Sequence, residues 1–327
     1  MTHSFRWGIL ATGNIATKFA LGLQTLSDTT IQAVGSRNLP SAQSFADQFN
    51  IPNVHSSYEA LAKDPEVDAI YVANPHPYHL ESTLLCLENG KPVLCEKPMA
   101  INYAETQQMV NKAREKGLFM MEAMWTRFMP AIVELRKLLD SGIIGEVKML
   151  TADFGFYSDW EPEHRRYNPD LAGGALLDVG IYPLAFAYMI FKNDPVHVSS
   201  FADIGETGVD EQSAYLLGYK NGAIARLSSS VRHQTAKEAQ IHGTKGMIHV
   251  PLFWRADQLT IQLHDQEPET RHFPYESSGL QFEAIEAMNC IRNGELESKI
   301  MPLSETLRLA KLMDDFRAEW GMKYPGE

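Results

Sequence analysis

Cysteine is scarce in this sequence. Three cysteines occur in 327 residues, Cys86, Cys95 and Cys290, and they are far apart and odd in number. Disulfide frameworks and zinc sites need cysteines in sets at short spacings, so neither is expected here. This usage is typical of a reducing compartment, and we expect a cytoplasmic protein.

Basic residues are few as well. The chain carries 29 Lys and Arg against 41 Asp and Glu, which gives a formal net charge of −12 at pH 7. No run of basic residues stands out, which argues against a long phosphate-binding surface, and we expect no nucleic-acid partner. Any anion that the protein binds must be held by a few local cations.

Long hydrophobic runs are also missing. Residues 1–8 lack the basic start and the apolar stretch of a signal peptide. The most apolar segment, 176–191, contains Asp178 and Pro183. It falls short of the ~18–20 residues that span a bilayer. We therefore expect a soluble protein with no membrane partner.

Two catalytic signatures are absent from the sequence. The 11 histidines show no H-E-x-x-H or comparable metal spacing, and no G-x-S-x-G turn marks a hydrolase. We therefore expect no metal site, and the chemistry falls to an organic cofactor.

What the chain does have is a regular alternation in its first third. Its hydrophobic fraction of 44% and charged fraction of 21% are ordinary for a globular protein. Short apolar strands are predicted at 5–10, 31–36, 68–73, 92–95 and 118–121, with helices at 14–26, from 41, at 78–88 and at 103–116. Strands that alternate with helices indicate βαβ units and a parallel sheet covered on both faces. We assign this pattern to a first domain, residues 1–124.

After residue 124 the pattern changes. A helix at 130–139 and an apolar helix at 175–191 accompany strands at 147–156, 196–204, 214–219, 223–231, 239–243 and 247–250. Helices at 281–292 and 304–320 close the chain. Consecutive strands predict an open, mainly antiparallel sheet in an α+β domain, residues 125–327, whose last helix is free to pack back on the first domain.

The turn after the first strand resembles a dinucleotide fingerprint. It reads Ala11-Thr12-Gly13-Asn14-Ile15-Ala16, which is G-x-G-x-x-G/A with alanine in the first position. A tight turn there lets the backbone approach a pyrophosphate, and the helix N-terminus supplies free N–H groups. We expect Thr12, Gly13, Asn14 and Ile15 to bind the cofactor, although an ordinary strand–helix turn has the same outline.

The end of the second strand indicates which cofactor. NAD enzymes usually carry a carboxylate there, whereas NADP enzymes place an arginine nearby. Here Ser36 and Arg37 follow the strand and no carboxylate does. Arg37 can pair with a 2′-phosphate and Ser36 can donate to it, so NADP is expected over NAD. The alternative is a solvated surface arginine.

Three further motifs resemble a known family. Cys95-Glu96-Lys97-Pro98 is similar to the EKP signature of the glucose–fructose oxidoreductase/inositol dehydrogenase (Gfo/Idh/MocA) family, and residues 74–79, beginning Asn74-Pro75 and ending in His79, resemble another of its segments. Residues 173–182 resemble its G-G-x-x-x-D-x-G-x-H element, with Tyr182 in place of histidine. That change, together with residues 121–128, resembles the branch with dimeric dihydrodiol and NADP-dependent xylose dehydrogenases.

The resemblance implies a Rossmann domain followed by an α/β domain with an open sheet. It also implies oxidation or reduction of a sugar, polyol, dihydrodiol or dicarbonyl with NAD(P), and a homodimer formed through the open sheet. Lys97, Asp178 and Tyr182 match catalytic positions. The cofactor-side positions, with a cis bond expected before the proline, are Asn74, Pro75, His79, Glu96, Lys97 and Pro98.

These residue types fit hydride transfer, which creates or destroys an alkoxide and needs a proton carrier beside a positive group. Tyr182 has an ordinary pKa of about 10, and a neighbouring Lys97 ammonium would favour its phenolate. Asp178 lies four positions before Tyr182, so on a helix both face one side. Without the motif, a core tyrosine, a helix-terminal carboxylate and a surface lysine are the alternatives.

Aromatic and arginine side chains are expected to line the substrate cleft. The candidates for contact with the substrate are Trp125, Arg127, Phe154, Arg166 and Tyr182, with Tyr157 and Arg165 nearby. The predicted function is an NADP-dependent oxidoreductase for a small carbonyl or polyol substrate. Its alternative is a non-catalytic NADP-binding sensor or scaffold on the same fold.

Overall fold

A computed structural model describes residues 4–327, and its first unit is built on a six-stranded parallel sheet. The strand order is β3-β2-β1-β4-β5-β6. The strands are β1 (Phe5–Leu10), β2 (Thr29–Gly35), β3 (Asn53–His55), β4 (Ala69–Val72), β5 (Val93–Glu96) and β6 (Met120–Ala123). The helices between them are α1 (Asn14–Leu23), α2 (Leu39–Phe49), α3 (Tyr58–Ala62), α4 (His79–Glu88) and α5 (Tyr103–Lys116).

Capping side chains explain where several of these helices begin. Asn38, Ser57 and Asn102 each accept a backbone N–H from the first turn of α2, α3 and α5. Such a cap satisfies a donor that the helix itself leaves free. In contrast, α1 begins after Gly13 without a side-chain cap. The first turn of α1 therefore keeps its N–H groups available.

The first unit also contains a later part of the chain. Residues 276–310 group with 1–125, and residues 311–327 group with 126–275. The segment holds α8 (Gln281–Arg292) and the first part of α9 (Leu303–Trp320). A Cβ on Gly22 would lie 3.0 Å from the Gln281 backbone nitrogen, and Leu303 is buried in the core of the parallel sheet. We predicted a second domain over 125–327 whose last helix is free to pack back on the first domain; in the structure α8 and the first part of α9 group with the first unit.

The second unit holds an eight-stranded sheet. Its order is β14-β13-β12-β11-β7-β10-β9-β8, and every neighbouring pair is antiparallel except β7 with β10. The strands are β7 (Val147–Gly155), β8 (His197–Ile204), β9 (Asp210–Gly218), β10 (Ile224–Ser230), β11 (Ala239–Gly243), β12 (Gly246–Val250), β13 (Gln258–Leu263) and β14 (Glu269–His272). Helices α6 (Pro130–Asp140) and α7 (Ile181–Phe191) belong to the same unit. The predicted fold class, a parallel Rossmann-like sheet followed by a mainly antiparallel one, is confirmed.

Four short elements escaped the sequence reading. They are β3 and α3 in the first unit and β13 and β14 in the second. A strand of three residues offers too few positions for a period of two to be recognised. Strand β14, ETRH, is polar and has no buried side chain, whereas β13, QLTIQL, alternates polar and apolar residues and was overlooked.

The sheet of the second unit is covered unevenly. Tyr215, Leu217 and Leu227 point to a buried face, whereas Phe201 is 75% exposed and Leu216 is 49% exposed on the other. The segment Pro169–Phe191 is apolar and long enough to cross a membrane, but 94% of its most apolar stretch is buried inside the fold. We interpret it as a core helix that covers the buried face of the sheet.

Candidate active site

The turn after β1 has the backbone shape of a dinucleotide site. Ala11 has a φ of +82°, a conformation that an L side chain rarely adopts and that glycine adopts freely. It stands where the fingerprint has its first glycine. Apart from its chain neighbours, no residue among 4–327 lies within 4 Å of a Cβ placed on Gly13. This open space and the uncapped N-terminus of α1 fit a pyrophosphate that approaches the backbone.

Arg37 lies beyond the end of β2 without an acidic partner among residues 4–327. Its guanidinium lies over the Tyr78 ring, 5.1 Å from the centroid, and its charge opposes the rise that burial causes in the pKa of Tyr58. Ser36 is 8% exposed, and its hydroxyl accepts the Asn38 N–H at 3.2 Å. Aromatic contacts therefore hold the Arg37 side chain while its charge stays available to an anion.

His79 is not a cofactor contact in this structure. The side chain is fully buried, and its ring nitrogens lie 2.8 Å from the carbonyl oxygens of Asn74 and Pro98. Because both nitrogens are engaged away from solvent, the expected direct contact is corrected. His79 instead ties together the two loops that follow β4 and β5.

Asn74, Pro75, Glu96, Lys97 and Pro98 occupy these two loops. The Asn74 amide donates to the Ser82 hydroxyl at 2.7 Å, and the peptide bond between Lys97 and Pro98 is cis, as expected. Glu96 is buried and accepts hydrogen bonds from the Tyr71 hydroxyl and the Lys97 backbone N–H. Burial raises the pKa of Glu96, although the Tyr71 hydroxyl opposes that rise. The Glu96 carboxyl thus fixes the backbone from which Lys97 projects.

In the second unit, Asp178 and Tyr182 lie on one continuous helical segment. Residues Leu176–Gly180 form a π-helical turn that runs directly into α7. The predicted helix over 175–191 is therefore present, and its first turn is π-helical. π-Helical turns are rare and occur frequently at functional sites. Asp178 lies inside the turn and Tyr182 is the second residue of α7.

Asp178 forms an ion pair with Arg165, and the sequence could not decide whether Arg165 or Arg166 faces the site. The two guanidinium nitrogens of Arg165 lie 3.1 and 3.4 Å from the two carboxylate oxygens of Asp178. Arg166, which was expected to contact the substrate, instead donates to the Ser158 hydroxyl and lies over the Phe156 ring. Neighbouring side chains point to different sides of a loop, so sequence alone could not choose between them.

Tyr182 lies against an aromatic wall. The centroid of its ring is 5.3 Å from that of Phe154, and Phe154 stacks on Trp254 at 5.0 Å. Tyr182 is 7% exposed. Phe154 was expected here, whereas Trp254 was missed because it follows a strand that carries no motif. Flat apolar surfaces of this kind suit a ring face of a small substrate.

Arg127 differs from expectation, whereas the expected substrate contact of Trp125 stays a prediction. Arg127 is 4% exposed and donates to the Ala185 carbonyl of α7 at 2.7 Å, so we assign it to anchoring that helix and correct the expected substrate contact. Trp125 is 8% exposed and is the last residue of the first of the two chain segments that form the first unit. Both residues follow β6.

Comparisons with known proteins identify the family. Residues 5–124 match the model described as "Oxidoreductase family, NAD-binding Rossmann fold", and residues 132–249 match "GFO/IDH/MocA C-terminal domain". The chain belongs to the GFO/IDH/MocA oxidoreductase family. The predicted family and enzyme class are confirmed: the protein is an NAD(P)-dependent oxidoreductase, which decides against a non-catalytic scaffold.

Relatives within this GFO/IDH/MocA family match over nearly the whole chain. Trans-1,2-dihydrobenzene-1,2-diol dehydrogenase from Mus musculus is 39% identical over 335 residues, and that from Homo sapiens is 38% identical over 333, each match covering 98% of both chains. The solved structure of a 3-ketoreductase from Actinomadura kijaniata with NADP and TDP-benzene is 27% identical with a TM-score of 0.85, covering 97% of this chain and 98% of that one. An aldose-aldose oxidoreductase from Caulobacter crescentus, 24% identical, shares the fold with a TM-score of 0.88 and 98% coverage of each chain.

The contrasting positions of two arginines can be tested by matched substitutions to methionine. Arg127→Met should lower the free energy of unfolding by about 1–3 kcal/mol, because it removes a hydrogen bond that a buried charged group donates to the Ala185 carbonyl. Arg165→Met should change it by less than about 1 kcal/mol, because the Arg165 side chain is 49% exposed and its ion pair is screened by water. Urea unfolding followed by circular dichroism measures both. A cost for Arg165→Met that equals or exceeds the cost for Arg127→Met contradicts the assignment.

Proposed function

We propose that the protein interconverts a hydroxyl and a carbonyl group on a small diol or sugar, with NADP as the hydride carrier. The observation that carries this proposal is the aromatic wall of Phe154 and Trp254 beside Tyr182. It provides an apolar surface for a ring next to a group that can move a proton. The likeness to trans-1,2-dihydrobenzene-1,2-diol dehydrogenases supports a cyclic diol as one substrate class.

The preference for NADP rests on Arg37. Its charge lies beyond β2, where a 2′-phosphate is read in Rossmann domains, and the Tyr78 ring supports its side chain. A fork of N–H donors matches a phosphate better than it matches a ribose hydroxyl. The NADP bound in the 3-ketoreductase structure is consistent with this choice.

Arg37→Ala should therefore weaken NADP binding by about 1–3 kcal/mol and leave NAD binding almost unchanged. Fluorescence titration with each reduced cofactor measures the two dissociation constants. Arg114→Ala, an exposed arginine on α5, serves as the control and should change neither. Tighter binding of NAD than of NADP by the unsubstituted protein would contradict the proposal.

Within the reaction, the chain's own residues handle the proton and the developing charge. Bound NADP would supply or accept the hydride. Tyr182 is proposed to donate or accept the proton of the reacting oxygen, with its phenolate favoured by the positive charge of Lys97. Asp178 is proposed to orient a substrate hydroxyl, since Arg165 holds its carboxylate in a fixed plane.

Tyr182→Phe should lower kcat by about 10²–10⁴, the usual contribution of general acid–base catalysis, while folding and NADP affinity persist. Lys97→Met should also lower kcat, and the remaining oxidation should need a higher pH because the phenolate loses its stabilising charge. Absorbance of NADPH across a panel of diols, sugars and dicarbonyls measures turnover. Tyr103→Phe, which removes a hydroxyl on α5 that donates to Gln107, is the matched control. Near-normal turnover of folded, NADP-saturated Tyr182→Phe would assign the proton to another group.

We further propose a homodimer that covers the open face of the eight-stranded sheet. A shallow depression of about 590 Å³ on this face is lined by apolar and polar side chains, including Phe201, Leu216 and Arg226. Asp153 lies on the same face as Arg226, so a two-fold axis could bring opposite charges together. An exposed Phe201 is costly in water and gains by burial against a second copy.

Light scattering at micromolar concentration should therefore give about twice the chain mass of 36.7 kDa. Phe201→Glu should shift the mass to that of the monomer, because it places charge on the apolar face. Leu39→Glu, at a position 49% exposed on α2 in the first unit, should leave the dimer intact. A monomer mass for the unsubstituted protein would refute the dimer.

A further inference from the structure

Asp210 is a buried carboxylate at the start of the helical segment that carries Asp178 and Tyr182. It opens β9 and has no exposed surface. One of its oxygens, Oδ2, accepts the Leu176 backbone N–H at 2.8 Å and the Ser213 hydroxyl at 3.1 Å. Because Leu176 is the first residue of the π-helical turn, the Asp210 side chain on strand β9 caps the start of this turn.

Glycines let the segment approach Asp210 and its neighbours closely. A Cβ on Gly174, whose φ is +116°, would lie 2.3 Å from Asp210 Oδ1. A Cβ on Gly180 would lie 2.6 Å from the Tyr215 hydroxyl and 2.9 Å from the Ser229 hydroxyl. No other residue type fits either position without displacing these polar atoms. The segment is therefore in contact with this polar group before and at the end of its π-helical turn.

The hydroxyls form a closed ring. Ser213 and Tyr215 oxygens are 2.6 Å apart, Ser213 and Ser229 are 3.0 Å apart, and Tyr215 and Ser229 are 2.9 Å apart. With the contact between Ser213 and Asp210, four hydrogen-bonding contacts must be filled. Three hydroxyls supply three protons, so one contact lacks a proton when Asp210 is ionised. A protonated Asp210 donates to Ser213 and lets the three hydroxyls donate in turn, which fills every contact.

We propose that Asp210 is a positioning residue that is protonated in one state and ionised in the other. When it loses the proton, it binds the helical segment bearing Asp178 and Tyr182 more strongly. The inference rests on the proposed roles of those two residues. A charged carboxylate accepts the Leu176 N–H more strongly than a neutral one, so the ionised form fixes the segment more firmly. The neutral form satisfies the hydroxyl ring and weakens the cap.

The surroundings place this proton exchange in the neutral range. Burial raises the pKa of Asp210 to about 7, against the opposing effects of the Leu176 N–H, the Ser213 hydroxyl and Arg317. Among the groups around it, Tyr215 on β9 and Tyr324 near the chain end have raised pKa values because they are buried, and Arg317 is ion-paired with Asp314 and Glu327. The two tyrosines therefore stay neutral and Arg317 stays positively charged near pH 7. Tyr324 also donates a hydrogen bond to the Gly173 carbonyl. The charge of Asp178, on the helical segment, contributes to raising the pKa of Tyr324.

The kinetic test is the dependence of kcat on pH. The unsubstituted enzyme should lose activity as pH falls through about 7. Asp210→Asn, which cannot ionise, should lack this acidic limb and remain on the order of fivefold less active above it. Persistence of the same acidic limb in Asp210→Asn would overturn the proposal.

Ser213→Ala decides the question if Asp210→Asn fails to fold. It removes the hydroxyl that links Asp210 to the ring, so the acidic limb should move by about one pH unit. Ser141→Ala, which removes a hydroxyl that donates to Leu138 outside this ring, should leave the limb in place. An unmoved limb in Ser213→Ala counts against the proposal.

Unfolding provides a readout that needs no substrate. A raised pKa means that the folded protein holds the proton more tightly than the unfolded chain does. The difference in unfolding free energy between the unsubstituted protein and Asp210→Asn should therefore change with pH. If Asp210→Asn does not fold, Ser213→Ala takes its place in this comparison. Against Asp210→Asn the difference should fall between pH 3.8 and about 7 and then level off. A difference independent of pH would contradict the proton on Asp210, whereas normal turnover of Tyr182→Phe would remove only the catalytic assignment.

Discussion

The hydrogen bond from the Leu176 N–H to the Asp210 carboxylate is the contact on which the position of the proposed catalytic residues Asp178 and Tyr182 depends. It fixes the start of the helical segment, and Arg127 holds the same segment further along through the Ala185 carbonyl. The Tyr324 hydroxyl holds the preceding glycine turn through the Gly173 carbonyl. These buried polar contacts restrict where Asp178 and Tyr182 can lie, so the site is positioned by groups that never need to touch the substrate.

In the first unit, the conformation of the backbone shapes the turn for the dinucleotide. Ala11 adopts a positive φ, and the space above Gly13 stays open for a ligand. His79 joins the loops after β4 and β5, so the residues around Lys97 are fixed by carbonyl contacts. A preformed turn of this kind binds a dinucleotide without reorganising, which lowers the entropic cost of binding.

Local patterns in the sequence predicted much of the fold and part of the site. Helix α5 and strand β1 have the predicted limits because each combines a regular apolar period with clear end signals. The partner of Asp178, by contrast, depended on which way adjacent arginines point, and Arg127 was expected near substrate although it is buried. Asp210 carries no motif, and its importance comes from contacts with residues 34 positions away, which no local pattern encodes.

The central claim is that Tyr182 moves the proton with its phenolate stabilised, and tyrosinate absorbance tests it directly. The chain has 12 tyrosines, and burial raises the pKa of several others, including Tyr71, Tyr215 and Tyr324, so these stay protonated well above neutral pH. The ultraviolet spectra of the NADP complex should be titrated for the unsubstituted protein and Tyr182→Phe. The account predicts that the unsubstituted protein gains one extra tyrosinate below pH ~10, and that Lys97→Met moves this step upward. Identical titration curves for the unsubstituted protein and Tyr182→Phe would contradict it.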